Sequence, residues 1–486
     1  MAKEIAFIRT NLLWTLCLLV TASLSAQPAP GRLRVSSDGH SLVKENGKPG
    51  VDRPFFWLGD TAWNYFARLN QAEAGQYLDD RVAKRFTVIQ AHMLPWTLQT
   101  RSVHGQTAFL NGNFDQPNET YWRHVDTLMR MATDRGFYVA VLPVWCRTYI
   151  EPAPNGTDGP DVVLTDSTKA YRYGKFVGNR YRAYPNLIWV LGGDRRPTRH
   201  GVYRQLARGL TEAYANGDPD KILLTYHPPG GTNRPPATST GEFYHNEPWL
   251  DLNMIQSGHA LENRSYQRIS EDYDRSPAKP TFDSEPCYEQ HPIKHDYKNG
   301  RFTGWHVRRR AWWSVLAGAC GFTYGGNGIW QMDKPGDVMQ PTHFSHFWYD
   351  GLSHEGTGQM QHVRTLIETL GVGQLIPDRG DGDAGPPVRA LRPSTRLQSA
   401  PGTVDDRVQL ARDKNNTFLV VYITDGHPIS LDLSGLIGKR LAGYWFDPRT
   451  GGRQLLAKLT RQTAATFTPP TSGPNQDWVL VVRGSK

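Results

Sequence analysis

The sequence predicts an α/β protein, a (β/α)8 TIM barrel followed by a small C-terminal β-sandwich. Three observations predict it. Eight short apolar runs rich in β-branched and aromatic residues lie between residues 55 and 324. Amphipathic helical stretches separate most of them, the alternation expected of a parallel sheet with helices outside. Beyond a Gly-, Pro- and Asp-rich stretch at 377–388 (PDRGDGDAGPPV), strand patterns follow one another without long helices.

The elements follow in chain order. Residues 1–26 read as a secretory signal, with Lys3 and Arg9 ahead of the apolar run Asn11–Val20. Ser23 and Ser25 are the small residues at −3 and −1 of a cleavage site before Ala26. Cleavage after Ala26 would put the bulkier Leu24 at −3. The flanks of Cys17 are wrong for a lipoprotein site, and the apolar run is too short for a membrane span. The chain is therefore expected to be secreted or periplasmic and not membrane-spanning.

Residues 31–54, with DG and NGKPG turns, predict a small β-hairpin closing the bottom of the barrel. The strand candidates are 55–59, 87–91, 137–144, 187–191, 222–226, 252–256, 280–284 and 320–324, and the clearest helices are 71–85, 119–135, 168–183, 198–216 and 304–318. No GxGxxG follows the first strand, which disfavours a doubly wound dinucleotide-binding sheet. The barrel domain is placed at 27–384. The runs VQLAR, FLVVYIT, ISLDLS, GYWFDPRTG, ATFTPP and DWVLVV place the sandwich at 385–486.

Composition narrows the function. The formal net charge is +9, with basic residues scattered as on a solvated surface and one cluster at Arg308-Arg309-Arg310. No nucleic-acid-binding motif accompanies them, so no nucleic-acid partner is expected. Aromatics are 11% of residues, enough for barrel packing and for stacking on sugar faces. Without Cys17, the cysteines are Cys146, Cys287 and Cys320, an odd set that suits buried free thiols and allows at most one bridge. Neither a CxxC pair nor an HExxH helix is present, so neither a metal nor a cofactor is expected.

Barrel enzymes carry their chemistry at the carboxyl ends of the strands. The first strand end offers Asp60, Trp63 and Asn64, the second His92 and Trp96, and the third Trp145 and Arg147. The fourth offers Asp194 followed by Arg195 and Arg196, and the fifth His227. Gln256 and His259 follow the sixth, Glu285, Tyr288 and Glu289 the seventh, and Asn327 and Trp330 the eighth. Two carboxylates facing one another across a cleft are what glycoside hydrolysis needs. Asp194 and Glu285 fit best, on strands four and seven across the mouth; by analogy with many retaining barrel glycosidases, in which the acid/base follows strand four and the nucleophile strand seven, Asp194 is expected to be the acid/base and Glu285 the nucleophile.

Other readings stand beside these. Asp60 in GDTAW suits helix capping and substrate hydrogen bonding equally. The three histidines, and Trp145 and Trp330, also suit packing. Glu289 competes with Glu285, and Asp283, deeper on the same strand face, competes less strongly. Arg195 and Arg196 would lower the Asp194 pKa if they faced it, so they are expected to turn away while the Glu285 charge raises it.

The segments FFWLGDTAW (55–63), YLDDRVAKRF (77–86), WVLGGDRRP (189–197), KPTFDSEPCYE (279–289) and RRRAWWSVLAGACGFTYGGNGIW (308–330) resemble the apiosidase-like glycoside hydrolases of family 140. The C-terminal YWFDPRTG and DWVLVV resemble the β module that often follows this barrel and carries a collagen-binding label. The resemblance implies hydrolysis of apiose-containing linkages in pectin, especially rhamnogalacturonan II. It implies catalytic carboxylates at Asp194 of the GGD motif and Glu285 of the DSEP motif. The expected partner is a plant cell-wall polysaccharide or oligosaccharide bound by a monomer. A glycosidase on another furanoside or pyranoside, such as an arabinofuranosidase, and a non-catalytic carbohydrate- or matrix-binding protein are the alternatives.

Overall fold

A computed structural model describes residues 30–45, 52–230, 238–337, 345–378, 394–457 and 459–485. The expected signal segment, the NGKPG turn and most of the stretch 377–388, with the boundary at 384/385, lie outside these residues. No helix among the described residues is long and apolar enough to cross a membrane.

Three short antiparallel strands open the chain, β1 (Leu33–Val35), β2 (Leu42–Lys44) and β3 (Arg53–Phe55). The predicted hairpin thus gains a third strand, because Phe55 pairs with Leu42 and both are buried. Tyr138 at the start of a central strand donates to the Gly31 carbonyl at 2.7 Å and meets Phe55 edge-on. The small sheet therefore covers the amino ends of the central strands, away from the ends that carry chemistry.

The central strands are β4 (Trp57–Thr61), β5 (Val88–His92), β6 (Tyr138–Leu142), β7 (Leu187–Gly192) and β8 (Leu224–His227). They continue with β9 (Thr238–Ser239), β10 (Asn253–Gln256), β11 (Thr281–Asp283) and β12 (Gly321–Tyr324). All eight predicted strands are present. They form one curled sheet in the order β8-β7-β6-β5-β4-β12-β11-β10-β9, parallel except for the short antiparallel β9. The two ends of the curl meet where the Asp251 N–H donates to the Leu224 carbonyl at 2.9 Å and the Thr225 hydroxyl to the Leu252 carbonyl at 2.7 Å. Nearly every residue of these strands is buried, as a sheet covered on both faces requires.

The five predicted helices appear as Gln71–Ala83, Glu119–Asp134, Ser167–Tyr181, His200–Tyr214 and Gly304–Leu316. The pair flanking β7 packs very closely. A Cβ on Gly209 would stand 2.3 Å from the Tyr171 carbonyl, so glycine lets the backbones touch and sets the strand that delivers Asp194.

The remaining strands are β13 (Leu375–Pro377), β14 (Val408–Asp413), β15 (Phe418–Ile423), β16 (Ile429–Leu431), β17 (Leu441–Phe446), β18 (Arg453–Leu455), β19 (Ala465–Phe467) and β20 (Trp478–Gly484). Six form an antiparallel sheet, β13-β14-β15-β20-β17-β18, while β16 pairs with β19. Period-2 alternation gives the large sheet two apolar faces. Leu419, Val421, Leu480 and Val482 pack with Ile429, Leu431 and Phe467 of the small pair. Val420, Tyr422, Val479 and Val481 join the core of the central sheet.

That second face lies against the helix Gly304–Leu316. Trp312 stacks on Tyr422 at 6.0 Å, and Arg308 grips Asp477 with two bonds of 2.8 and 2.6 Å. The one basic cluster is buried, since Arg308, Arg309 and Arg310 are each 1% exposed. Arg309 lies between the Trp305 and Trp313 rings, and Arg310 donates to the Ala260 and Leu261 carbonyls. Each charge reaches an anion, a ring or a carbonyl, as burial demands.

Candidate active site

Asp194 sits two residues past β7, in a backbone that only glycine-rich sequence permits. Gly192, Gly193 and Asp194 have φ of 90°, 124° and 57°. A Cβ on Gly193 would stand 2.8 Å from the Trp145 ring. The glycines thus let the strand end slide under Trp145, and Asp194 is carried in the left-handed region. Gln256 Nε2 donates to Asp194 Oδ1 at 3.1 Å, and Arg147 Nη1 stands 3.8 Å from Oδ2. The loop that follows is tied down by buried Glu151, which accepts from the Thr198 N–H, the Thr198 hydroxyl and the Tyr203 hydroxyl.

Glu285 follows β11. Its neighbour Ser284 is pinned by bonds to the Ile255 carbonyl, and its own carbonyl accepts from the Gly258 N–H. The carboxylate is enclosed by two imidazoles, His227 Nε2 at 3.2 Å from Oε2 and His259 Nε2 at 3.4 Å from Oε1. His259 in turn stacks on His291 with ring centres 4.0 Å apart. One carboxylate oxygen each of Asp194 and Glu285, with a nitrogen of His227, lie within 4.8 Å of one another.

The two carboxyls feel opposite surroundings. Burial and the nearby Glu285 charge raise the pKa of Asp194 above the ordinary aspartate value, against the opposing pull of His227, Arg147 and Gln256. Burial also acts to raise that of Glu285, but the two imidazoles outweigh it and hold the group below the ordinary glutamate range. One acid that keeps its proton beside one that stays ionised is the arrangement of a proton donor and a nucleophile. Asp194 is a quarter exposed and Glu285 7%, so the cleft opens on the side of Asp194.

Trp63, Trp96, Trp145 and His92 build an aromatic wall beside this pair. Trp63 meets Trp145 edge-on at 4.9 Å and His227 edge-on at 5.3 Å, while Trp96 meets Trp145 at 5.2 Å.

Residues 36–373 match the apiosidase-like catalytic domain. The chain belongs to the apiosidase-like family. A solved structure described as a glycoside hydrolase is 30% identical, over 94% of this chain and 97% of that one, with a TM-score of 0.80. A crystal structure of a family 5 glycoside hydrolase from Bacteroides vulgatus is 28% identical, over 94% and 93% of the two chains, also with a TM-score of 0.80. Residues 395–483 match the "Putative collagen-binding domain of a collagenase". No curated protein matches the sequence. This apiosidase-like chain is a glycoside hydrolase.

The structure of this apiosidase-like protein brings many of the sequence-predicted residues together. Asp194, Glu285, His227, His259 and Gln256 converge, and Trp63, His92, Trp96 and Trp145 line the adjoining wall. Tyr288 meets His259 edge-on at 4.7 Å and faces Trp330 at 6.4 Å, forming the opposite rim. His92 is fully buried, engages the Leu94 carbonyl, and is pushed by burial down to about 4.

One expectation is corrected. Asp60 does not face the cleft. Its fully buried carboxylate accepts from the Tyr77 hydroxyl and Arg81 Nε, each at 2.6 Å, and so bonds the strand to the helix behind it. Asn327, at the eighth strand end, donates to Ser345 Oγ and accepts from Gln331 Nε2. The competitors are also committed elsewhere. Glu289 accepts from the Tyr324 hydroxyl and the Gly356 N–H, and Asp283 from Ser257.

Arg195 and Arg196 turn away as expected. Arg195 donates to the Asp194 backbone carbonyl, and Arg196 lies over Phe243 and 3.7 Å from Glu242. The cation that does face Asp194 is Arg147. Strand-end position had marked it, but nothing in the sequence gave it this role. His291 and Glu151 carried no sequence signal. Cys146, Cys287 and Cys320 are buried free thiols.

Proposed function

We propose that this glycoside hydrolase cleaves apiose-containing linkages of plant pectin, with rhamnogalacturonan II as substrate, by a retaining double displacement. In this reading the curled sheet is a (β/α)8 barrel and the C-terminal strands a β-sandwich. Asp194 is the acid/base and Glu285 the nucleophile. The protein is exported through its first 26 residues and works as a monomer.

One observation carries the mechanism. The Asp194 and Glu285 oxygens lie within 4.8 Å. Retaining pairs stand about 5–5.5 Å apart, whereas inverting pairs stand about 6.5–9.5 Å apart to admit a water. Glu285, ionised, attacks the anomeric carbon as Asp194 passes its proton to the departing oxygen. Asp194 then takes a proton from water, which attacks the same carbon and releases Glu285. His227 and His259 hold the nucleophile charged and oriented. Trp96, the partly exposed member of the aromatic wall, offers a face for a sugar ring.

The substrate assignment is supported by the apiosidase-like catalytic match over residues 36–373. Digestion of purified rhamnogalacturonan II, with identification of the reducing-end sugar released, tests it. Apiose at the new reducing end is the expected product. Release of arabinose instead, from this or another pectic substrate, would move the assignment to an arabinofuranosidase.

A further inference from the structure

Among the described residues, Asp194, His227 and Glu285 form the one group of three or more histidine, cysteine or acidic side chains whose donor atoms lie within reach of a common ion. His227 Nε2 and Glu285 Oε2, both buried, stand 3.2 Å apart at an angle that makes no hydrogen bond between them, and His227 Nδ1 is buried without a partner. Buried polar atoms are nearly always satisfied, so two ligating atoms this close yet not bonded to each other leave room for a shared ligand. An imidazole nitrogen with two carboxylate oxygens is a donor set that suits zinc. The third member, Asp194, is a quarter exposed, which leaves a path in and a fourth position open to the cleft.

We infer that the catalytic cleft binds one Zn2+ through Asp194, His227 and Glu285, and that the ion excludes the sugar. Zinc holds such ligands at about 2.0–2.2 Å, so donors on one ion stand roughly 3–4 Å apart. Donors within 4.8 Å therefore close on it by a small rotation of the exposed Asp194. Arg147, 3.8 Å from Asp194, opposes a cation, but its side chain is 55% exposed and free to turn to solvent. His259 sits on the other oxygen of Glu285 and is left where it is. Mg2+ favours six oxygens in octahedral array and keeps its waters, so an imidazole-bearing pocket rejects it. The ion ligates both carboxylates that the proposed reaction needs. Its inhibitory effect rests on that reading, whereas its binding does not.

Isothermal titration of the untagged full-length protein with zinc chloride, in the absence of sugar, tests the inference. One equivalent binds the wild type, magnesium chloride at the same concentration gives no binding, and Asp194→Asn and His227→Ala each weaken zinc by about tenfold to a hundredfold. If His227→Ala does not fold by circular dichroism, Asp194→Asn at its partly exposed position carries the comparison. Equal zinc affinity in wild type and folded variants would overturn the inference. So would no zinc binding by the wild type, or magnesium bound as tightly as zinc. Failure of the glycosidase reading would show separately, as no turnover by the metal-free protein.

Discussion

His227 Nε2 stands 3.2 Å from Glu285 Oε2, and one ring nitrogen of His227 and one carboxylate oxygen of Glu285 lie within 4.8 Å of a carboxylate oxygen of Asp194. The two acids share one cleft without sharing one environment. Imidazoles surround the glutamate, whereas the aspartate meets burial and the charge of its partner.

This asymmetry sets the outcome of replacing Asp194. Asp194→Asn removes the proton donor and lowers kcat/KM on a natural glycoside by about 10²–10⁴-fold. On an aryl glycoside whose phenolate leaves without a proton, cleavage of the first bond is largely preserved, and an added azide restores the second step. Steady-state rates on both substrates check this. An equal loss on both would deny Asp194 the donor role.

The pH profile follows with its signs. Asp194 must be protonated, so activity falls as pH rises through its raised pKa, and the basic limb lies above the ordinary aspartate range. Glu285 must be ionised, so activity falls as pH drops through its lowered pKa, and the acidic limb lies below the ordinary glutamate range. His259→Ala removes one group holding Glu285 down and shifts the acidic limb to higher pH. Arg147→Met removes a positive charge beside Asp194 and shifts the basic limb to higher pH. Profiles of kcat/KM for the three proteins read both shifts.

Asp60→Ala acts on stability. Removing the carboxylate leaves Arg81 buried without its main partner, at a cost of about 3–5 kcal/mol. Urea unfolding measures that loss, while kcat/KM of the protein that remains folded changes little. A large fall in kcat/KM at unchanged stability would return Asp60 to the substrate site.

The contact between the two halves of the molecule responds in the same way. Asp477→Ala strands Arg308, which is 1% exposed, and takes an acceptor from the Tyr422 hydroxyl. A loss of about 3–5 kcal/mol is expected. The unfolding midpoint of the catalytic domain should fall with it, because Trp312 and Arg308 belong to the helix Gly304–Leu316 that packs on the C-terminal sheet.

Much of this was legible in the sequence, for physical reasons that differ by element. Each central strand is a short run dominated by apolar residues, and the five predicted helices lie between those runs, whereas the 16-residue helix Glu355–Leu370 was not predicted. The short helix Ser265–Tyr273 was not found, because polar Arg268, Ser270 and Asp272 occupy its buried positions and blur the helical period. Strand-end position located Asp194, Glu285, His227, His259 and Gln256, since it depends on chain direction alone. It misjudged Asp60, whose side chain points outward to Arg81, because position at a strand end does not say which face a residue takes. The burial of Arg308, Arg309 and Arg310 was illegible for a related reason. Asp477, the partner of Arg308, lies far along the chain and the acceptors of Arg310 are the backbone carbonyls of Ala260 and Leu261, although the Trp305 and Trp313 rings that flank Arg309 stand only one helical turn away.

The most direct test of the central claim is the anomeric configuration of the first sugar released, followed by proton NMR during digestion of rhamnogalacturonan II before mutarotation. The pairing of Asp194 with Glu285 at this separation predicts the configuration of the substrate, with no product formed by Glu285→Gln. First-formed product of opposite configuration, or turnover that survives in Glu285→Gln, would contradict it.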